Sequence, residues 1–225
     1  MKKAVIAKCL GVLLAVNILA CSAEAARINT VIDTTSGMYG DPESVYNEID
    51  YTVKSWFFPS EEEMKKMTFS QRTALENGNQ HVLVPFSESD AIVQIYREEK
   101  AAAIIRGQAV SDLQPFTGMQ VLDTTINKED LVKLSPRLGA DYILYFKVTN
   151  NVPAYISDSQ KVNVTTDFRV WDAKIGDYVF AKRYVTAGFA RTRHYGLGSP
   201  SDAIRSGLIQ ALDQIDKDKI IALLK

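Results

Sequence analysis

Residues 140–150, "ADYILYFKVTN", decide how this chain is expected to fold. Tyr142, Leu144, Phe146 and Val148 recur at every second position. That period places them on one face of a strand. "KVNVTTDFRVWD" (161–172) repeats the pattern with Val162, Val164, Thr166, Phe168 and Val170. "DYVFAKRYVTAG" (177–188) follows after Ala173, Lys174, Ile175 and Gly176, a sequence suited to a tight turn. The three segments predict an antiparallel meander.

Outward from the meander the period changes. "KEDLVKLSPRLG" (128–139) places Leu131, Leu134 and Leu138 on one helical face, with Asn127 as its cap and Gly139 as its stop. Pro136 is expected to kink or split that helix. "SPSDAIRSGLIQALDQIDKDKIIALLK" (199–225) predicts a terminal helix with Ser199 as cap, Pro200 at the first position, and Ile204, Leu208, Leu212 and Ile215 inward. Earlier, β-branched residues predict a strand over 28–34. Val45, Ile49, Val53 and Trp56 predict a helix that Pro59 ends. Residues 60–80 are more polar and predict a surface helical insertion, opened by the Ser60–Glu63 capping-box pattern. "HVLVPF" (81–86) reads as a short strand. The helix after it is expected to have Ser87 as cap, Gly107 as stop, and Ile92, Ile95, Tyr96, Ala102 and Ala103 inward. "MQVLDTT" (119–125) is a further strand candidate. The fold class expected is α+β: a mostly antiparallel or mixed sheet, helices packed on one face, and a C-terminal helix.

The amino-terminal residues bear on the address. Lys2, Lys3 and Lys8 flank or precede an apolar run of roughly a dozen residues, short of the ~20 that span a bilayer. A basic start, a short apolar stretch and small residues make a secretory signal peptide over residues 1–25, leaving 26–225 as one α+β envelope domain. "AEA" before Ala26 fits ordinary cleavage, the favoured reading. "ILAC" offers the alternative: Cys21 lipidated, and the protein held to a membrane by acyl chains alone. Cleavage after Ala25 removes Cys9 and Cys21, the only cysteines, so the exported domain has no disulfide and no thiolate. It also removes three Lys and one Glu, taking the formal net charge from −1 to −3. No basic field points to nucleic acid.

Few residues promise chemistry. His81 and His194 are the only histidines, lie far apart and belong to no metal-binding pattern. No G-x-S-x-G elbow is present, although a triad assembled through space around Ser36 and His194 stays open. Glu61, Glu62 and Glu63 read as a helix start whose acids complement the helix dipole. Arg191, Arg193 and His194, ahead of Gly196, Gly198 and a helix start, are candidates for an anion or partner contact. The alternative there is a plain loop, and Asp202 in the first helical turn opposes an anion. Aromatic residues crowd the meander, mostly as core, with any exposed subset forming an interaction patch.

"LSPRLGADYILYFKVTNN", "VTTDFRVWDAKIGDYVFAKRY" and the terminal helix resemble a group of bacterial envelope proteins. The group includes the curli-export lipoprotein, lipoproteins that activate penicillin-binding proteins, and the amino-terminal domain of TolB. Leu138, Gly139, Ala140, Asp141 and Tyr142 carry one motif, and Trp171, Asp172, Gly176, Asp177 and Val179 the other. The likeness covers roughly residues 130–224. It implies an exported, non-catalytic interaction module of the periplasm or cell surface, with envelope proteins as partners and roles in assembly, secretion or cell-wall processes. No catalytic, metal or cofactor residue comes with it. The pore-forming members' long amphipathic hairpins are not matched here, which argues against a channel. A secreted hydrolase and a small-ligand-binding protein are the alternatives.

Mass spectrometry of the mature amino-terminus checks the address. We predict an unmodified Ala26; an acylated Cys21 contradicts ordinary cleavage.

Overall fold

The computed structural model describes residues 25–34, 42–79, 81–109, 125–151, 159–191 and 200–224. Five strands form one mixed sheet. In chain order the elements are β1 (Ala26–Asp33), α1 (Pro42–Phe57), α2 (Glu61–Lys66), α3 (Phe69–Gly78), β2 (His81–Leu83), α4 (Phe86–Ala109), α5 (Lys128–Leu138), β3 (Tyr142–Asn151), β4 (Ser159–Asp172), β5 (Asp177–Arg191), α6 (Pro200–Leu212) and α7 (Lys217–Leu223). The strand order is β2-β1-β3-β4-β5. β1 pairs in parallel with both β2 and β3, while β3–β4 and β4–β5 are antiparallel. The expected meander is therefore the carboxy-terminal half of a mixed sheet.

Alternation along β3 sorts the core. Tyr142, Leu144, Phe146 and Val148 share one cluster with Val162, Val164, Phe168 and Val170 of β4. Val45, Ile49 and Val53 of α1, Ile204 and Leu208 of α6, and Ile220 of α7 close over that face. Ile143 and Tyr145 point the other way, into a second cluster with Val31, Trp171, Val93 of α4, and Leu131, Leu134 and Leu138 of α5. The expectation of helices on one face thus describes α1, α6 and α7, and is corrected by α4 and α5 on the opposite face. The cause is that both strands carry buried residues on this side too: Asn29, Val31 and Asp33 of β1, and Ile143 and Tyr145 of β3.

Local chemistry explains the joints. Asn127 and Asp130 form a reciprocal capping box at the start of α5, and Gly139 ends it at φ +57°. α5 runs unbroken through Pro136, which sits in its last turn; only one carbonyl loses its donor there. Asp141 Oδ2 accepts from the Arg27 N–H at 2.8 Å, tying the β3 start to β1. Asp172 Oδ1 accepts from the Lys174 and Ile175 N–H groups at 2.8 and 3.1 Å, and Gly176 turns the chain at φ +68°. The motif residues are thus structural. Residues 60–79 hold two short helices. Ser60–Glu63 caps α2 as expected, and Thr68–Gln71, a T-x-x-Q pattern, caps α3.

Other expectations shift. α4 begins at Phe86, ahead of Ser87, and continues past Gly107 to Ala109. Its buried face holds Ser89, Val93, Tyr96 and Arg97, whereas Ile95 is 48% exposed and Ala102 and Ala103 are exposed too. The terminal helix breaks after Leu212, and Asp216 caps α7. The strand proposed over 119–125 lies outside the described residues, apart from Thr125.

One contact sets how α6 lies on the sheet. A Cβ at Gly188 of β5 would stand 1.7 Å from Ala203 O and 2.7 Å from Gly207 N, both backbone atoms of α6. Only glycine lets strand and helix backbones approach this closely. Thr186 Oγ1 donates to Gly207 O at 2.7 Å beside it. We predict that Gly188→Ala costs about 3 kcal/mol or more in urea unfolding. Gly176→Ala, which meets only open space, should cost about 1–2 kcal/mol through its left-handed backbone alone. An equal cost at both positions contradicts the close approach.

Candidate interaction surface

Among the described residues, the second face of the sheet is covered over only part of its width. Beyond Tyr145 and Trp171, Lys147, Thr149 and Asn151 of β3 lie opposite Asp167, Thr165 and Asn163 of β4. Those three pair in turn with Arg183, Val185 and Ala187 of β5. All are half-buried or exposed. An antiparallel strand with one solvated face normally alternates apolar-in and polar-out. β4 obeys, turning Lys161, Asn163, Thr165, Asp167 and Arg169 outward. β5 does not: on the same face it carries Ala181, Val185, Ala187 and Phe189, with Arg183 as the one charge between them. Val185 is 67% exposed and Phe189 54%. The Lys161 ammonium lies 5.9 Å from the Phe189 ring, and Arg183 is held by Asp167 through Nε at 2.6 Å. The surface is a flat apolar strip with a charged border, on an edge strand.

Ionisable groups are buried elsewhere, under α4 and α5, and they are paired. Asp33, fully buried at the end of β1, accepts from Tyr145 OH at 2.7 Å, the Ile126 N–H at 3.2 Å and Arg97 Nη2 at 3.2 Å. Asp130 accepts from Tyr96 OH at 2.7 Å, Lys100 Nζ at 2.5 Å and the Asn127 N–H at 2.9 Å. Burial works to raise the Asp130 pKa, but these bonds, led by Lys100, outweigh it and hold the carboxyl below its usual range. Burial, then the Asp130 hydrogen bond, pushes the Tyr96 hydroxyl up to about 12, so it stays a donor. Burial and Asp33 likewise raise Tyr145 far above the ordinary phenol. Every carboxylate here is occupied by fixed donors, which is an arrangement for holding helices to a sheet.

The residues singled out from sequence separate. Arg191 is the last residue of β5, opposite Ser159. Arg193, His194 and Cys21 lie outside the described residues, as do residues 1–24 with the signal-peptide assignment and Ser36. His81 opens β2, donates from Nε2 to Leu224 O at 2.6 Å, and packs on Phe57 at 5.5 Å between ring centres. Glu63 reads as a helix-start acid: hydrogen bonds from Ser60 lower its pKa. Tyr142, Tyr145, Tyr184 and Trp171 are core, so the exposed strip is Val185 and Phe189 instead of the tyrosines. The signal for it was present, in the broken alternation after Lys182. Among the described residues no group of three or more His, Cys, Asp or Glu could hold a metal, and no helix is long and apolar enough to cross a membrane.

No family model and no curated protein matches the chain. Solved structures do. The C-terminal domain of LpoB from Salmonella enterica aligns at 12% identity over 72% of this chain and 82% of that one, with a TM-score of 0.29. A lipoprotein of Neisseria meningitidis aligns at 14% identity over 88% and 99%, TM-score 0.39. A hypothetical protein of Chlamydia trachomatis aligns at 11% identity over 88% and 94%, TM-score 0.37. At these scores the likenesses decide neither fold nor activity.

The pairing of Asp130 has a pH consequence. Its lowered pKa adds stability that is present above the ordinary carboxylate range and lost as pH falls through the native value. We predict that Lys100→Met costs about 3 kcal/mol at neutral pH and moves the acid-unfolding midpoint to higher pH. Circular dichroism against pH reads it; an unmoved midpoint contradicts the role of Lys100.

Proposed function

We propose that the chain is an exported, non-catalytic interaction module of the bacterial envelope that binds a partner protein through the bare face of β4 and β5. One observation carries this reading: the outward side of an edge strand that no described element covers is apolar, with Val185 and Phe189 exposed and a charged border around them. An apolar strip rimmed by polar groups is the ordinary make-up of a protein–protein contact. The resemblance over residues 130–224 to envelope proteins agrees, and it extends the reading to assembly, secretion or cell-wall processes. The signal peptide over 1–25 supplies export, with Cys21 as the lipid anchor if cleavage precedes it. The single domain over 26–225 is part of the same proposal. Arg191, Arg193 and His194 follow Phe189 directly in the chain and serve as further polar contacts with the partner. An edge strand also offers free backbone groups, so pairing with a strand of the partner is open to it.

Affinity capture from envelope extract tests this. The unsubstituted protein should retain a discrete partner, and the Val185→Glu/Phe189→Glu variant should lose it with thermal stability within about 0.5 kcal/mol of the parent. Ile95→Glu, at an exposed apolar residue of α4, should retain it. Equal capture by all three overturns the assignment of this face.

A further inference from the structure

A second surface lies on the opposite side of the sheet, away from β5 and independent of the function proposed for it. Tyr51 stands 68% exposed on α1, at the crest between two grooves. One groove, of ≈ 1020 Å³, runs between α1, the start of α2 and the β2–α4 connection. Val53, Phe58, Leu83 and Phe86 give it an apolar lining. The other, of ≈ 500 Å³, lies between α1 and the α6–α7 corner, where Trp56, Ile209, Leu212 and Ile215 do the same. Tyr51 and Ser55 line both, so the two form one saddle-shaped surface across α1.

Charge gives the saddle a sign. Lys54 is held by Asp50 at 2.6 Å, and Arg205 by Glu48 at 2.8 Å. Asp216 accepts from the Lys219 N–H and is spent on capping α7. Glu61 and Glu62 on the first groove and Asp213 on the second keep no ion pair among the described residues. Among the residues that line the grooves Lys217 is the one cation left to set against them, while Lys65 and Lys66 lie one turn further along α2, outside the lining. The rims are therefore acidic above apolar floors.

We infer that this saddle binds a cationic amphipathic protein segment. Its apolar side chains would enter the two grooves, and its lysines or arginines would face Glu61, Glu62 and Asp213. A cation over the Tyr51 ring gains a further attraction. An anionic segment would be repelled by the same rims, so the surface discriminates by charge as well as by shape.

The test uses the exported form of the whole chain and two synthetic amphipathic helices, one of leucine and lysine, the other of leucine and glutamate in the same pattern. The lysine peptide should bind, with amide shifts centred on Tyr51, Ser55 and Glu61, and more weakly as salt rises. Glu61→Lys/Glu62→Lys should weaken it about tenfold or more, with a small drop in the unfolding midpoint because both acids sit in the first turn of α2. Tyr51→Ala should weaken it severalfold without moving the midpoint, since that side chain is exposed. Glu98→Lys, an exposed acid on α4, should leave binding as it was. The inference is overturned if the glutamate peptide binds equally, if charge reversal at Glu61 and Glu62 changes nothing, or if the shifts fall on Val185 and Phe189 instead.

Discussion

The carboxylate of Asp33 sets where helices can lie on this sheet. It closes β1, is fully buried, and receives donors from β3, from α4 and from the chain leading into α5. A buried charge is costly, and much of its pairing only offsets that cost. What the arrangement supplies is position. Arg97 reaches Asp33 only if α4 lies over β1, and Ile126 reaches it only if α5 starts beside Tyr145. Asp130 repeats the device one layer out, joining α5 to Tyr96 and Lys100 of α4. Removing either partner of such a pair strands the other, so the two helices are fixed over β1 and β3 together.

Among the described residues, that placement leaves the rest of the second face without a helix. The first face is covered across its width, because α6 sits directly on β5 through Gly188 and Gly207 while α1 covers β1 and β3. β4 and most of β5 are therefore buried on one side and, among the described residues, open on the other. β4 meets water with Lys, Asn, Thr, Asp and Arg, as a solvated strand should. β5 meets it with Val185 and Phe189. The proposed contact rests on this difference between two neighbouring strands on one face.

The antiparallel half was legible because period-two alternation survives in it unbroken. Val162 to Val170 and Tyr142 to Val148 are buried as their spacing requires. So were the caps, where one residue type does one local job: Ser60, Asn127, Gly139 and Gly176. The α4 layer was not legible, for a physical reason. Its inward face carries Ser89, Arg97 and Lys100, chosen to meet Asn29, Asp33 and Asp130, so a count of apolar residues turns the helix toward Ile95 and Ala102 instead. Parallel pairing of β1 with β2 and β3 joins residues far apart in sequence, and no local pattern announces it. Gly188 shows no periodicity of its own. Of the candidate contact residues, Arg191 falls at the end of β5, beside the strip the structure reveals.

Among the described residues, one face of the sheet is dry under α4 and α5 and open over β5. Solvent paramagnetic relaxation with a soluble gadolinium probe on a methyl-labelled sample measures this directly. The methyls of Val185 should relax strongly, while those of Val31 and Ile143 on the same face should be untouched. Protection of Val185 equal to that of Val31 and Ile143 would mean the face is already covered, and would contradict the account.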